Sequence, residues 1–150
     1  FDPNIRLKLW TIEQARAAYF EVFPHVDILL TGLDEIEMII GQMPLEQFAA
    51  QYNIGQLVVK DGANGSKVYV DGQWHVAEPF KVVPIDTVGA GDGYDAAYIF
   101  GLMKGYSVDE RLRFANAVGA MVTTVKGDNE GLPEFMEVQA FLGHETLIER

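Results

Sequence analysis

The stretch Asp86-Thr87-Val88-Gly89-Ala90-Gly91-Asp92-Gly93 is the most informative part of the sequence. It follows a predicted strand at residues 80–84 and precedes an apolar segment, 94–104, that predicts a buried helix. Glycines allow a tight turn and the close approach of a ligand. The first N–H groups of a helix have no acceptor within the helix. The stretch therefore predicts an anion-binding site at a helix N-terminus, with the Asp92 carboxylate beside it.

Phosphoryl transfer to an alcohol requires at least an anion-binding site next to an ionised carboxylate. The backbone amides would stabilise charge on phosphoryl oxygens. The helix dipole favours the ionised form of Asp92, which can accept the proton of an attacking hydroxyl. The alternative is an ordinary strand-to-helix turn, because Gly-x-Gly alone is a weak signal. A Walker A motif is absent, and Tyr94 stands where a dinucleotide fingerprint requires its third glycine.

The rest of the sequence alternates between strand and helix periodicity, which indicates an α/β fold. Short apolar segments at 26–30 and 56–60 predict strands of a parallel sheet. Residues on both sides of Asp71-Gly72 predict a β-hairpin. Capping boxes at Thr11 and Ser107 predict the starts of two helices.

Composition excludes several classes of protein. The 150 residues contain 22 acidic and 11 basic side chains, a formal net charge of −11. Because no basic stripe is present, we expect neither a nucleic-acid partner nor binding to an acidic membrane. No cysteine is present, which excludes a disulfide scaffold. His25, His75 and His144 share no metal-ligand spacing. We expect a cytoplasmic domain.

Residues 86–93 closely resemble the C-terminal signature of the PfkB (ribokinase-like) carbohydrate kinases. The resemblance implies the C-terminal portion of a ribokinase-like three-layer sandwich, with a mostly parallel sheet flanked by helices and a β-hairpin. It also implies ATP-dependent phosphorylation of a sugar hydroxyl. Asp92 matches the family's catalytic base, and Gly89, Ala90 and Gly91 match its anion hole.

Two further segments resemble the nucleotide site of the family. Residues 60–65 match a strand-to-turn segment that lines the ATP site, which implies roles for Lys60, Gly62 and Gly65. Taken alone, this segment is better explained as a loop before a hairpin. Asn116 lies among small residues of a predicted helix and needs a hydrogen-bond partner. It is either an internally satisfied core residue or, as the resemblance implies, a neighbour of the nucleotide base.

Two segments resemble 2-keto-3-deoxygluconate kinases in particular. Residues 126–133 match their Gly-Asp-x-Glu-Gly loop, which implies that Asp128 helps to define the substrate end of the cleft. Residues 2–6, Asp-Pro-Asn-Ile-Arg, match a segment of those kinases and of fructokinases, which implies substrate contacts for Asn4 and Arg6. An arginine suits the carboxylate of a sugar acid or a phosphate of ATP. The alternative for Arg6 is a surface salt bridge.

The resemblance also implies Mg²⁺, and Glu35 matches the acidic residue of the family's Asn-x-x-Glu motif. In the family this glutamate organises the metal through water. Gly32 replaces the asparagine, so the contact of that side chain is lost. Asp86 and Thr87 would face a monovalent cation, as in some relatives.

We therefore expect phosphorylation of 2-keto-3-deoxygluconate to its 6-phosphate, with fructokinase or another PfkB sugar kinase as the alternative. Family members are about twice this length, so we expect residues 1–150 to be the C-terminal ATP-binding and catalytic portion, without the N-terminal half and lid. An inactive nucleotide-binding fragment is a second alternative. An unpaired sheet edge would favour a homo-oligomer.

Overall fold

A four-stranded sheet and six α-helices form the described part of the chain, residues 1–143 of a computed structural model. These residues confirm the α/β class. The chain divides into two compact units, which we describe separately. Unit 1 comprises Phe1–Gly62 and Ser66–Val76, and unit 2 comprises Ala63–Gly65 and the chain from Ala77 onward. His144 lies outside the described residues.

The sheet contains four strands, which lie in sequence order: β1 (Ile28–Gly32), β2 (Gln56–Lys60), β3 (Ser66–Val70) and β4 (Gln73–Ala77). β1 and β2 pair in parallel, and β2 and β3 pair antiparallel. The three central residues of β1 and of β2 are buried, which explains their apolar sequences. β1 begins two residues later than predicted, whereas β2 has the predicted bounds.

The predicted hairpin is confirmed, because β3 and β4 are neighbours in the sheet and only Asp71-Gly72 connects them. Both turn residues have positive φ, 51° at Asp71 and 78° at Gly72. Two successive positive φ angles define the type I′ turn, whose twist matches that of the flanking strands.

The first residue of the chain lies beside β1. The Phe1 ammonium donates a hydrogen bond to the Ile28 carbonyl, and the Leu30 amide donates one to the Phe1 carbonyl, both at 2.9 Å. Bonds from one residue to the two neighbours of its partner form the pattern of a parallel ladder. Phe1 is therefore bonded to β1 as a residue of a neighbouring parallel strand would be.

Three helices of unit 1 enclose an aromatic core: α1 (Ile12–Val22), α2 (Leu33–Ile40) and α3 (Leu45–Gln51). The predicted capping box at Thr11 is present, with Gln14 as its partner. α2 ends at Gly41, where φ is +66°. Rings from α3 and from the turn after α1 pack edge to face, with the centroids of Phe23 and Phe48 5.0 Å apart.

Unit 2 contains α4 (Ala90–Met103), α5 (Val108–Val122) and α6 (Phe135–Phe141). α5 begins with the predicted capping box between Ser107 and Glu110. α4 begins four residues earlier than the predicted start at Tyr94. The second half of the glycine-rich stretch is therefore the first turn of the helix.

The predicted strand at residues 80–84 is wrong, because residues 78–84 contain no regular secondary structure. Prolines stand at 79 and 84, and proline cannot donate a ladder hydrogen bond. Val83 is 84% exposed, so the apolar residues of this segment do not form a buried strand. In the last helix Val138 is buried, whereas Phe135 and Phe141 are 45% and 38% exposed. Within residues 1–143, no helix is long and apolar enough to cross a membrane.

Candidate active site

The glycine-rich stretch presents unbonded backbone amides at the start of α4. Gly89 is the N-cap residue and adopts the left-handed conformation, with φ at +78°. The Ala90 amide donates to the Thr87 carbonyl at 3.3 Å. The amides of Gly89, Gly91 and Asp92 donate no hydrogen bond to any of residues 1–143. Of the three residues predicted to form an anion hole, Gly89 and Gly91 therefore have free N–H groups, and Ala90 uses its own within the turn.

Asp92 is the third residue of α4 and its side chain is exposed. It forms no hydrogen bond or ion pair with residues 1–143. The carboxylate lies in the first helical turn, where the helix dipole stabilises negative charge. An exposed, ionised carboxylate without a protein partner can accept a proton from a bound hydroxyl.

Asp86 binds two backbone amides with its two carboxylate oxygens. The Val88 amide donates to Oδ1 at 3.1 Å, and the Gly127 amide donates to Oδ2 at 3.3 Å. These bonds hold the pKa of Asp86 below its ordinary value of 3.8. Because the folded-state pKa is the lower one, the bonds stabilise the fold at neutral pH. That contribution is lost as the pH falls below 3.8 through the lowered pKa.

The loop 126–133 packs against Gly89. A Cβ atom at Gly89 would collide with the backbone carbonyl oxygen of Asp128 and would lie 2.6 Å from Asp128 Oδ1. Glycine is therefore required at position 89 for two reasons, its positive φ and this close approach. Asp128, predicted at the substrate end of the cleft, lies directly beside the unbonded amides of the glycine-rich stretch.

Asn116 and Gly65 both contact the segment that follows β4. Asn116 is 8% exposed, and its Nδ2 donates to the carbonyl oxygens of Ala77 and Glu78, each at 3.1 Å. A Cβ atom at Gly65, where φ is +93°, would collide with the Ala77 carbonyl oxygen. The Asn116 amide hydrogens thus bind the backbone, as in the internally satisfied alternative.

In unit 1, three of the predicted residues lie near the ends of β1 and β2. Lys60 forms an ion pair with Asp2, with 3.3 Å between Nζ and Oδ2. The other oxygen of Asp2 accepts the Asn4 amide at 3.0 Å, and Asn4 has a φ of +46°. Gly62 has a φ of +49° and open space around it. Asp2, which the sequence reasoning did not single out, therefore connects Lys60 to the Asn4 turn.

Glu35 is bonded through both carboxylate oxygens. Oε1 accepts the Ile5 amide at 2.5 Å, and Oε2 accepts the Thr31 hydroxyl at 3.1 Å. Glu35 thus connects the start of α2 to the segment that contains Arg6. A Cβ atom at Gly32 would meet only Glu35 Cβ, at 3.7 Å, so position 32 has space for a side chain.

The Arg6 side chain is exposed and forms no ion pair within residues 1–143. The described residues therefore contain no surface salt bridge of Arg6, which was the alternative interpretation. The same residues include no cluster of three or more histidine, aspartate or glutamate side chains that could hold a metal ion.

The family model described as pfkB family carbohydrate kinase matches residues 1–134 of the chain. The chain belongs to this family. It is 34% identical over 154 residues to the "Probable fructokinase-2" of Arabidopsis thaliana, covering 95% of the chain and 47% of that protein. It is 33% identical over 147 residues to the 2-dehydro-3-deoxygluconokinase of Thermoproteus tenax, covering 95% of the chain and 45% of that protein. The chain thus spans about half the length of the curated relatives it matches.

Solved structures confirm the ribokinase-like fold. An E. coli protein assigned as a ribokinase II, solved with ATP and Mg²⁺, superposes with a TM-score of 0.86 at 29% identity, covering 97% of this chain and 48% of that one. A fructokinase double mutant of Vibrio cholerae O395, solved with fructose, ADP and potassium, gives a TM-score of 0.84 at 28% identity. That match covers 95% of this chain and 49% of the fructokinase.

We predict that Gly89→Ala destabilises the protein more than Gly105→Ala. The φ angles are similar, +78° and +75°, but a Cβ atom at Gly105 has no neighbour within 4 Å. Both variants incur about 1–2 kcal/mol for the left-handed conformation. Gly89→Ala should lose about 1 kcal/mol or more in addition, because the Asp128 backbone must move. Urea unfolding measures both, and equal losses would contradict the close approach at Gly89.

We also predict that Gly32→Asn is tolerated. Gly32 is the N-cap of α2 with a φ of −72°, a conformation open to every residue type. Asparagine caps a helix at least as well as glycine, so the free energy of unfolding should stay level or rise by a few tenths of a kcal/mol. Gly55→Asn is the control, since its Cβ atom would lie 3.2 Å from the Asp27 carbonyl oxygen and should destabilise more. A loss above about 1 kcal/mol for Gly32→Asn would refute the prediction.

Proposed function

We propose that this chain is the ATP-binding and catalytic portion of a kinase that phosphorylates 2-keto-3-deoxygluconate to its 6-phosphate. The observation that carries the proposal is the exposed Asp92 carboxylate in the same helical turn as the unbonded amides of Gly89 and Gly91. This combination places a proton acceptor next to donors that stabilise a phosphoryl anion. Membership of the pfkB family supports the kinase chemistry.

In the proposed reaction, Asp92 accepts the proton of the sugar hydroxyl as its oxygen bonds to the γ-phosphorus of ATP. The bond between that phosphorus and the bridging oxygen of ADP breaks at the same time. The amides of Gly89, Gly91 and Asp92 donate to the phosphoryl oxygens, where charge develops. Because Ala90 already donates to Thr87, its role is to shape the turn rather than to bind the anion directly.

Mg²⁺ would arrive with the phosphates of ATP, neutralise their charge and keep several waters. Both Glu35 oxygens already accept hydrogen bonds, but each has a second lone pair. We propose that Glu35 contacts the metal only through a bound water. We also propose a monovalent cation near Asp86 and Thr87, because the resemblance to the family implies one.

For the nucleotide, we propose that Lys60 and Gly62 contact phosphate and that Gly65 and Asn116 act through the backbone. Lys60 is paired with Asp2, which fixes the direction of its ammonium group. Gly65 and Asn116 both fix the Ala77 backbone, so they would shape a wall of the base site without contacting the base themselves.

For the sugar acid, we propose contacts from Asn4, Arg6 and Asp128. The exposed Arg6 guanidinium has no ion-pair partner in residues 1–143. It is complementary to a carboxylate in geometry and charge. Asp128 lies beside Gly89 and can accept from a sugar hydroxyl. ATP is the phosphoryl donor, so we propose that the protein acts in the cytoplasm.

Fructose is the alternative substrate. The identities to the fructokinase and to the dehydro-deoxygluconokinase, 34% and 33%, do not separate the two. The loop 126–133 favours the sugar acid, whereas the segment that contains Arg6 resembles both kinds of kinase. A third possibility is an inactive nucleotide-binding fragment that self-associates, because the chain spans about half the length of its relatives.

We predict that Asp92→Asn lowers kcat by about 100-fold or more, because the amide cannot accept the hydroxyl proton. Turnover is measured in a protein of full family length that contains these 150 residues. Asp71→Asn is the matched control, since Asn-Gly forms the same type I′ turn and the residue is remote in sequence from Asp92. Near wild-type turnover in Asp92→Asn would remove the proposed mechanism.

The substrate is tested by ATP consumption with 2-keto-3-deoxygluconate, fructose and ribose at equal concentration. We expect the highest kcat/KM for the sugar acid, and Arg6→Lys should reduce it by about tenfold because bidentate pairing is lost. Preference for fructose would support the alternative kinase. The 150-residue chain alone is expected to phosphorylate none of the three, and measurable activity would contradict that expectation.

A further inference from the structure

The peptide group between Pro3 and Asn4 is bonded to a side chain at each of its two polar ends. Its carbonyl oxygen, which belongs to Pro3, accepts the Tyr19 hydroxyl at 2.8 Å. Its amide, which belongs to Asn4, donates to Asp2 Oδ1 at 3.0 Å. The orientation of this peptide plane is therefore fixed from both sides.

The following peptide group is held as well, because the Ile5 amide donates to Glu35 Oε1. The backbone dihedral angles of Asn4 describe the rotation between these two planes. Asn4 has a φ of +46°, in the left-handed region that residues other than glycine adopt infrequently. Such a conformation persists where the surrounding contacts determine it, and it is common at functional sites. We call the three hydrogen bonds that involve Tyr19, Asp2 and Glu35 the Asn4 clamp.

Tyr19 is the buried member of the Asn4 clamp. It is 5% exposed, and its ring packs against Trp10 and Phe23, with centroids 5.4 and 6.3 Å away. Its hydroxyl has no other hydrogen-bond partner among residues 1–143. Burial raises the pKa of the hydroxyl above its ordinary value of 10.0, and the charges of Glu35 and Asp2 raise it further. The hydroxyl therefore stays protonated, and remains a donor, at neutral pH.

The clamp engages only main-chain atoms of the segment that contains Asn4 and Arg6. Both side chains are exposed, and neither forms a hydrogen bond or ion pair with residues 1–143. Arg6 follows directly after the clamped Ile5 amide. The direction in which the chain leaves Asn4 therefore decides where the Arg6 guanidinium lies.

We propose that Tyr19 is a positioning residue for the sugar acid, because it holds the Asn4 turn and through that turn Arg6. The inference rests on the proposed function, in which Asn4 and Arg6 contact the substrate. A guanidinium forms two parallel bonds with a carboxylate only where its plane is correctly placed, so a loosened turn costs substrate affinity. Asp2 also pairs with Lys60, whereas Tyr19 has no proposed role at the nucleotide or its metal.

The first experiment measures backbone hydrogen exchange in the 150-residue chain. Tyr19→Phe keeps the packed ring and removes only the hydroxyl, so we expect about fivefold faster exchange at the Asn4 and Ile5 amides. Asp2→Ala removes the acceptor of the Asn4 amide and should accelerate exchange there as well. Wild-type rates at both amides in Tyr19→Phe would overturn the clamp.

Tyr52→Phe is the matched control. Tyr52 belongs to the same aromatic cluster, with 5.6 Å between the centroids of its ring and that of Phe23. Its hydroxyl forms no hydrogen bond with residues 1–143. The control variant should exchange both amides at the wild-type rate. Equal acceleration in Tyr52→Phe and Tyr19→Phe would also overturn the clamp, since the loss of any hydroxyl in the cluster would then have the same effect.

The second experiment measures kinetics in a protein of full family length that contains these residues. We expect Tyr19→Phe to raise KM for 2-keto-3-deoxygluconate about fivefold, with kcat and KM for Mg·ATP near their wild-type values. Tyr52→Phe should change none of these constants. A purely structural role would reduce the amount of active enzyme, and so the apparent kcat, without raising KM for one substrate. Unchanged KM for the sugar acid despite faster exchange would overturn the positioning role.

A double-mutant cycle tests whether Tyr19 acts through Arg6. When Tyr19→Phe is added to Arg6→Ala, KM for the sugar acid should rise by less than about twofold, because the positioned group is already absent. An undiminished effect would show that Tyr19 acts independently of Arg6, and would overturn the proposal. If the wild-type protein does not phosphorylate the sugar acid, the proposed function fails together with the positioning role, and exchange alone decides the clamp.

Discussion

The unbonded N–H groups at the start of α4 are the constraint on which the candidate site depends. A helix cannot bond its own first amides, and the left-handed Gly89 turns the chain so that those of Gly91 and Asp92 have no acceptor in residues 1–143. Negative charge is favoured in this turn, which suits both an ionised Asp92 and a phosphoryl group. The surrounding contacts at Asp86 and Asp128 fix where these groups lie.

Features that depend on local sequence were predictable. The type I′ hairpin follows from Asp71-Gly72, and the helix starts at Thr11 and Ser107 follow from their capping boxes, because only a few adjacent residues determine them. The strand expected at residues 80–84 was wrong, since Val83 is 84% exposed and prolines at 79 and 84 cannot donate ladder hydrogen bonds. Apolar periodicity alone does not reveal whether a partner strand is available.

The site was predictable in its residue types but less so in its bonding. The motif identified Asp92 and the glycines, whereas the Ala90–Thr87 bond and the two acceptors at Glu35 depend on the folded backbone. Asp86 had a partial signal for its first bond, because an aspartate two residues before Val88 favours an Asx turn. Its bond to Gly127 joins residues that are 41 positions apart in sequence, so no local sequence pattern predicts it.

The contact between Gly89 and position 128 has an evolutionary consequence. Position 89 must lack a side chain. The atom of residue 128 that lies closest to it is the backbone carbonyl oxygen. Every amino acid has that carbonyl oxygen, so residue 128 is free to change while the fit against Gly89 persists. Under the proposed function, substrate preference can therefore diversify at position 128 while the residues proposed for phosphoryl transfer are inherited unchanged.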